Sequence, residues 1–207
     1  NYQNTMMQNE RGEWVKIPAK QEVNWNETLQ KMEKQGKGAK EAAQAEKEAV
    51  KEAGHGYAAL DMGPTGKLLK PMGDLDFEDA VRLYEQVALA GEQAGADCII
   101  IETMSDTYEL KAAVLGAKAT ALPVFVTVVF DQKGKMLTGA DVKTVCALLE
   151  GLRVDAMGFN CGLGPVQMEA LLEELRKVCS IPVIVNPNAG LPREEHGHTH
   201  FDVEPEE

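Results

Sequence analysis

The chain has 207 residues, of which 44% are hydrophobic and 26% charged, the mix of a soluble globular domain with a substantial core. A formal net charge of −12 repels phosphate backbones and anionic lipid surfaces, which argues against nucleic-acid and membrane partners. The four cysteines, at 98, 146, 161 and 179, form no CxxC and no disulfide framework; with neither a signal peptide nor an apolar run of bilayer length, a cytoplasmic protein is expected.

Residues 1–26 are polar and lack periodicity. Residues 27–53 are rich in Ala, Glu and Lys and predict a helix, although Gly36 and Gly38 each cost about 1 kcal/mol relative to Ala. Gly54-His55-Gly56 ends it, so residues 1–55 read as an N-terminal segment and 56–207 as a second region. From Tyr57 onward, apolar runs alternate with amphipathic stretches. The runs are Tyr57–Leu60, Cys98–Ile101, Val124–Phe130, Ala156–Phe159 and Val183–Val185; they read as strands buried on both faces. After Asp76, Phe77, Ala80, Val81, Tyr84, Val87 and Ala88 share one helix face. Asp106 with Glu109 predicts a capping box. Pro165 suits a first helical position, followed by an apolar stripe of Met168, Leu171, Leu172, Leu175 and Val178. The resulting order βαβαβαβαβ demands parallel strands with right-handed crossovers. It fits a doubly wound sheet or part of a (β/α)8 barrel, which five strands are too few to close.

In such folds ligands lie beyond the carboxyl ends of the strands. The residues there are Asp61-Met62-Gly63-Pro64, Glu102-Thr103-Met104, Asp131, Asn160-Cys161-Gly162 and Asn186 to Gly190. Cys161 follows a strand and precedes a helix, whose amino end favours negative charge. It suits a nucleophile, a zinc ligand or a small packing residue. Glu102 suits a substrate ammonium, acid–base work or a structural ion pair. Cys98, Cys146 and Cys179 are expected in the core. Gly63 to Lys67 is not a phosphate loop, since that motif needs Gly at Asp61 and Ser or Thr at Leu68. His196, His198 and His200 alternate, as a metal site on an extended strand would, but their polar surroundings favour a solvated loop.

Taken in order, these rim motifs resemble the homocysteine S-methyltransferase family, in particular the homocysteine-binding barrel of cobalamin-dependent methionine synthases. The stretches that carry the resemblance are Ala59 to Gly66, Ile99-Ile100-Ile101-Glu102-Thr103-Met104, Met136-Leu137-Thr138-Gly139, Gly158-Phe159-Asn160-Cys161 and Asn186 to Pro192. They cover about residues 50–207. The resemblance implies a (β/α)8 barrel of which this chain matches strands three to seven. It implies a methyltransferase that activates homocysteine on zinc and methylates it to methionine. It makes Cys161 a zinc ligand, Glu102 the contact of the homocysteine amino group and Asn188 a neighbour of the metal. Asp61 and Gly63 become substrate-side residues. In the methionine synthases the methyl group comes from methylcobalamin on a separate module.

The family's remaining two zinc ligands form an adjacent Cys-Cys pair, which this sequence lacks. One thiolate is a poor zinc site, so the chain by itself is expected to bind zinc weakly and not to turn over homocysteine. The alternatives are a non-catalytic barrel that has lost its zinc site and a different barrel enzyme with Glu102 as acid or base.

Overall fold

The computed structural model describes residues 6–8, 14–16, 25–190, 193–195, 198–200 and 203, with side-chain surroundings for 37–190, 194 and 203. The chain forms two compact units, residues 1–33 and 34–207. In the first, β1 (Met6–Gln8) pairs antiparallel with β2 (Trp14–Lys16). Helix α1 is Trp25–Ala53. Its Ala, Glu and Lys residues carry it through Gly36 and Gly38.

The second unit follows the βα rhythm: β3 (Ala59–Met62), α2 (Phe77–Ala94), β4 (Cys98–Met104), α3 (Thr107–Ala117), β5 (Val124–Val128), α4 (Val142–Gly151), β6 (Ala156–Asn160), α5 (Pro165–Arg176) and β7 (Val183–Asn186). A hairpin of β8 (Arg193–Glu195) and β9 (His198–His200) comes after. His196 lies outside the described residues, as do the side chains of His198 and His200.

Strands β3 to β7 form one parallel sheet in strictly sequential order. A doubly wound sheet reverses its order at a switch point, whereas a (β/α)8 barrel adds each strand beside the last. The order therefore decides for the barrel type.

Strand alternation sends Leu60, Met62, Ile99, Ile101, Val124, Val126, Val128, Met157 and Phe159 into one buried core with Tyr84, Leu110, Val114, Leu149, Leu171 and Leu175 of the helices. The opposite face is open in places: Ile100, Phe125 and Ile184 are only half-buried, whereas Thr127 and every residue of β6 are buried. The reading of strands buried on both faces thus holds for β6 but not along the whole sheet.

Local chemistry sets the helix ends. Asp106 caps α3 by accepting the Glu109 N–H at 3.0 Å, and Asp141 caps α4 through the Thr144 N–H and hydroxyl. Gly95 ends α2 at φ 92°, where a side chain would be strained. The capping box at Asp106 is only half made. Glu109 turns away from its own helix and accepts from the Thr65 N–H, the Thr65 hydroxyl and the Tyr84 hydroxyl. At the other end of the sheet, Asp97 takes the Lys47 ammonium at 2.8 Å and the Ala58 N–H at 2.8 Å. Those two partners hold its carboxyl below the usual range. Among the described residues no helix is long and apolar enough to cross a membrane.

Candidate active site at the carboxyl rim

The rim begins with an irregularity in β4. Ile101 pairs with Val126 and Met104 with Val128, so β4 uses one residue more than its partner. The extra residue is absorbed at Thr103, whose φ is 61°. A β-bulge of this kind re-aims side chains. Here Ile101 and Met104 both enter the helix-side core, which leaves Glu102 and Thr103 between them for the other face.

Asn160, the last residue of β6, is buried and fixes the bulge. Its carbonyl oxygen accepts the Thr103 N–H at 3.1 Å. Its amide donates to Thr103 Oγ1 at 2.7 Å and toward Cys161 Sγ at 3.3 Å. Cys161 itself is exposed, with φ 55°. It is held there by its N–H, which donates to the Asn186 carbonyl at 3.1 Å, while its carbonyl accepts from Leu163. The Asn188 N–H in turn donates to the Leu163 carbonyl at 3.0 Å. The Glu102, Cys161 and Asn188 segments are thus joined by hydrogen bonds through Thr103, Asn160, Asn186 and Leu163.

Asp61 and Glu102 share the open face of β3 and β4. Glu102 is half-buried, and partial desolvation pushes its carboxyl above the usual range, with the Asp61 charge adding to the effect. Asp61 is more exposed but also raised by desolvation. These two carboxylates repel one another and have no ion-pair partner among the described residues, so they attract positive charge.

Other rim residues have structural work. The Gly63 carbonyl lies 3.2 Å from the Tyr84 hydroxyl. Nothing stands within 4 Å of a Cβ built at Gly63, so no close approach demands a glycine there. Asp131 accepts from the Lys133 and Lys135 N–H groups and closes its own turn. Thr65 spends its N–H on Glu109, so the glycine-rich loop does not offer it to a phosphate. The bridging amide of Asn160 went unread in the sequence, because nothing local tells a buried rim Asn from a strand end.

Among the described residues, no group of three His, Cys, Asp or Glu forms at the rim; the one such cluster is Cys146, Glu150 and Cys179, elsewhere in the unit. Cys161 alone does not make a tetrahedral zinc site, so the described rim residues do not by themselves fit the ion. Cys98 and Cys146 are buried, as the sequence suggests, whereas Cys179 is half-buried.

Comparison with known proteins gives a consistent picture. The chain is 37% identical over 157 residues to a methionine synthase of Mycobacterium leprae, and 38% over 142 residues to that of Mycobacterium tuberculosis. These matches cover 73% and 66% of this chain but only 13% and 12% of those proteins. The chain therefore corresponds to a small part of the curated relatives it matches. The apo form of the homocysteine methyltransferase MmuM from Escherichia coli superposes with a TM-score of 0.62 at 25% identity, covering 83% of this chain and 64% of that one. Its metallated form gives a TM-score of 0.61, with 78% and 60% covered. The homocysteine S-methyltransferase model matches residues 17–207, beginning well before the rim motifs. This chain belongs to the homocysteine S-methyltransferase family.

Proposed function

We propose that this chain is the homocysteine-binding part of a cytoplasmic, methionine synthase-like homocysteine S-methyltransferase. The observation that carries the reading is the carboxylate pair Asp61 and Glu102, with no ion-pair partner among the described residues, beside the Asn160–Cys161 turn. Glu102 receives the homocysteine ammonium, and the Asp61 charge strengthens that attraction. The Gly63 loop and Asn188 line the substrate side of the same rim.

Cys161 supplies one thiolate toward zinc. The metallated form of the Escherichia coli relative supports a metal in this family. A single thiolate is an incomplete site, so no step of the reaction is drawn through the ion. Methylcobalamin on a separate module is the methyl donor that the motif resemblance implies, in keeping with relatives named methionine synthase.

Calorimetry with L-homocysteine tests the reading. The 207-residue chain binds it, and Glu102→Gln weakens binding at least about tenfold, as loss of a hydrogen bond to a charged group does. Equal binding by the variant would remove Glu102 from the site. The raised Glu102 carboxyl also favours a second reading, another barrel enzyme with Glu102 as acid or base. Homocysteine binding with zinc present separates the two readings, and its absence would set the first aside.

A further inference from the structure

Three donor groups converge at the end of the sheet opposite the rim. Cys146 and Glu150 lie four residues apart on α4, whose carboxyl end leads into the start of β6. Cys179 follows α5, just before β7 begins. Cys161 stands at the far end of β6, a strand of five residues and about 16 Å long.

The sulfur atoms and a carboxylate oxygen of this trio all lie within 4.8 Å of one another. The i, i+4 spacing puts two ligands on one helix face, the same device by which an HExxH helix presents two histidines to zinc. Cys146 is buried while Glu150 and Cys179 are half-buried, so the cluster is walled on one side and open on the other. The Glu150 carboxylate is already oriented. Ser180 donates to Oε1 through its N–H at 2.6 Å and its hydroxyl at 2.9 Å, which leaves Oε2 outside those two bonds. They hold the carboxyl below its usual range. Burial, with Cys179 and Glu150 close by, pushes the Cys146 thiol up to about 11. Packing alone accounts for a buried Cys146. Glu150 is satisfied by Ser180 and the Cys179 thiol lies 3.4 Å from the Ile181 carbonyl, yet two sulfurs and a carboxylate oxygen stand within 4.8 Å of one another, a donor set that a soft divalent ion fits.

We propose that Cys146, Glu150 and Cys179 form a metal site for a thiolate-preferring divalent cation, zinc or a chemical equivalent, that clips α4 to the turn between α5 and β7. Two sulfurs select a borderline or soft ion over calcium or magnesium. Each cysteine releases its thiol proton to solvent as its sulfur bonds the ion. Two thiolates and a carboxylate carry three negative charges, of which the ion offsets two. Water from the open side takes the fourth position of a tetrahedral set. This site is independent of the rim, so it replaces the expectation of weak zinc binding by the chain as a whole with firm binding away from Cys161.

The test uses the full chain carrying Cys161→Ser, under a phosphine reductant, titrated with cobalt(II) alone. One equivalent of cobalt is taken up with a thiolate-to-metal charge-transfer band, zinc displaces it, and the bound metal raises Tm. Adding Cys179→Ser abolishes the band. Adding Ser180→Ala, an exposed change that removes only the hydroxyl behind Glu150, weakens cobalt binding about tenfold, the usual cost of losing an outer-shell partner. Circular dichroism matched to the parent shows that both variants fold. Absence of the band in the Cys161→Ser protein, or its persistence with Cys179→Ser added, overturns the proposal. So does recovery of Cys146 and Cys179 as a disulfide that excludes cobalt when the reductant is withdrawn before titration and withheld throughout.

Discussion

Asn160 grips Thr103 twice: its side-chain carbonyl accepts the Thr103 N–H at 3.1 Å and its amide donates to Thr103 Oγ1 at 2.7 Å. The same amide group reaches Cys161 Sγ at 3.3 Å. One buried side chain therefore sets both the bulge that presents Glu102 and the thiol that follows β6. Asn160→Ala leaves the Thr103 N–H unpaired in a half-buried position. We expect a loss of about 1–3 kcal/mol in urea unfolding, together with weaker homocysteine binding. Unchanged stability would mean that the bulge holds itself.

Cys161 occupies a backbone region that favours glycine, with φ 55°. Holding an L-residue there costs on the order of 1 kcal/mol. Cys161→Gly should raise stability by about that amount while removing the rim thiol from alkylation. A destabilised variant would show that the side chain, and not function, keeps this residue in place.

The pH behaviour of the rim follows from Glu102 and Asp61. Both carboxyls titrate above their usual values, so the folded chain binds protons more tightly than the unfolded chain. Their contribution to stability is present at low pH and is lost as pH rises through the raised values. Glu102→Gln should therefore stabilise the fold at neutral pH even as it weakens substrate binding. Asp61→Asn removes the neighbouring charge, so the Glu102 midpoint, followed by carboxyl NMR, should move down. A midpoint that stays put would mean desolvation alone sets it.

Glu109 is 3% exposed and ties α3 to the loop after β3 and to α2 through Thr65 and Tyr84. Burial and the Glu109 charge push the Tyr84 hydroxyl far above its usual range, so it stays a donor. Tyr84→Phe removes one bond and should cost about 1 kcal/mol. Glu109→Ala strands the Thr65 N–H and hydroxyl, while Tyr84 keeps the Gly63 carbonyl, and a larger loss than for Tyr84→Phe is expected in the same denaturation assay.

Two helix glycines make a paired control. A Cβ at Gly116 would stand 2.6 Å from the Glu85 backbone nitrogen, whereas one at Gly91 would meet the movable end of the Leu60 side chain at 2.6 Å. Backbone cannot step aside as a rotamer can. Gly116→Ala should cost about 1–3 kcal/mol in thermal unfolding, and Gly91→Ala distinctly less; equal losses would refute the distinction.

Much of the architecture is legible from periodicity. The runs at Cys98, Val124 and Ala156 are contiguous and apolar because parallel strands under helices need such runs, and the stripe through Leu171 and Leu175 marks the face of α5 that meets them. Glu102 and Cys161 are legible as rim residues because chain direction alone puts them at the carboxyl ends. Glu109 misled because local capping patterns do not reveal a competing partner forty-four residues away at Thr65.

The sequence by itself determined the parallel βα order, the identity of the rim residues and the family they resemble, since these rest on local pattern and motif order. Only the tertiary structure decided for the barrel type over a doubly wound sheet, because strand order is a relation between distant segments. It also decided that Thr103 bulges, that Asn160 joins Glu102's strand to Cys161, and that Cys146 and Glu150 meet Cys179. Each of these is a contact between elements, set by how strands and helices pack and not by the residues beside them.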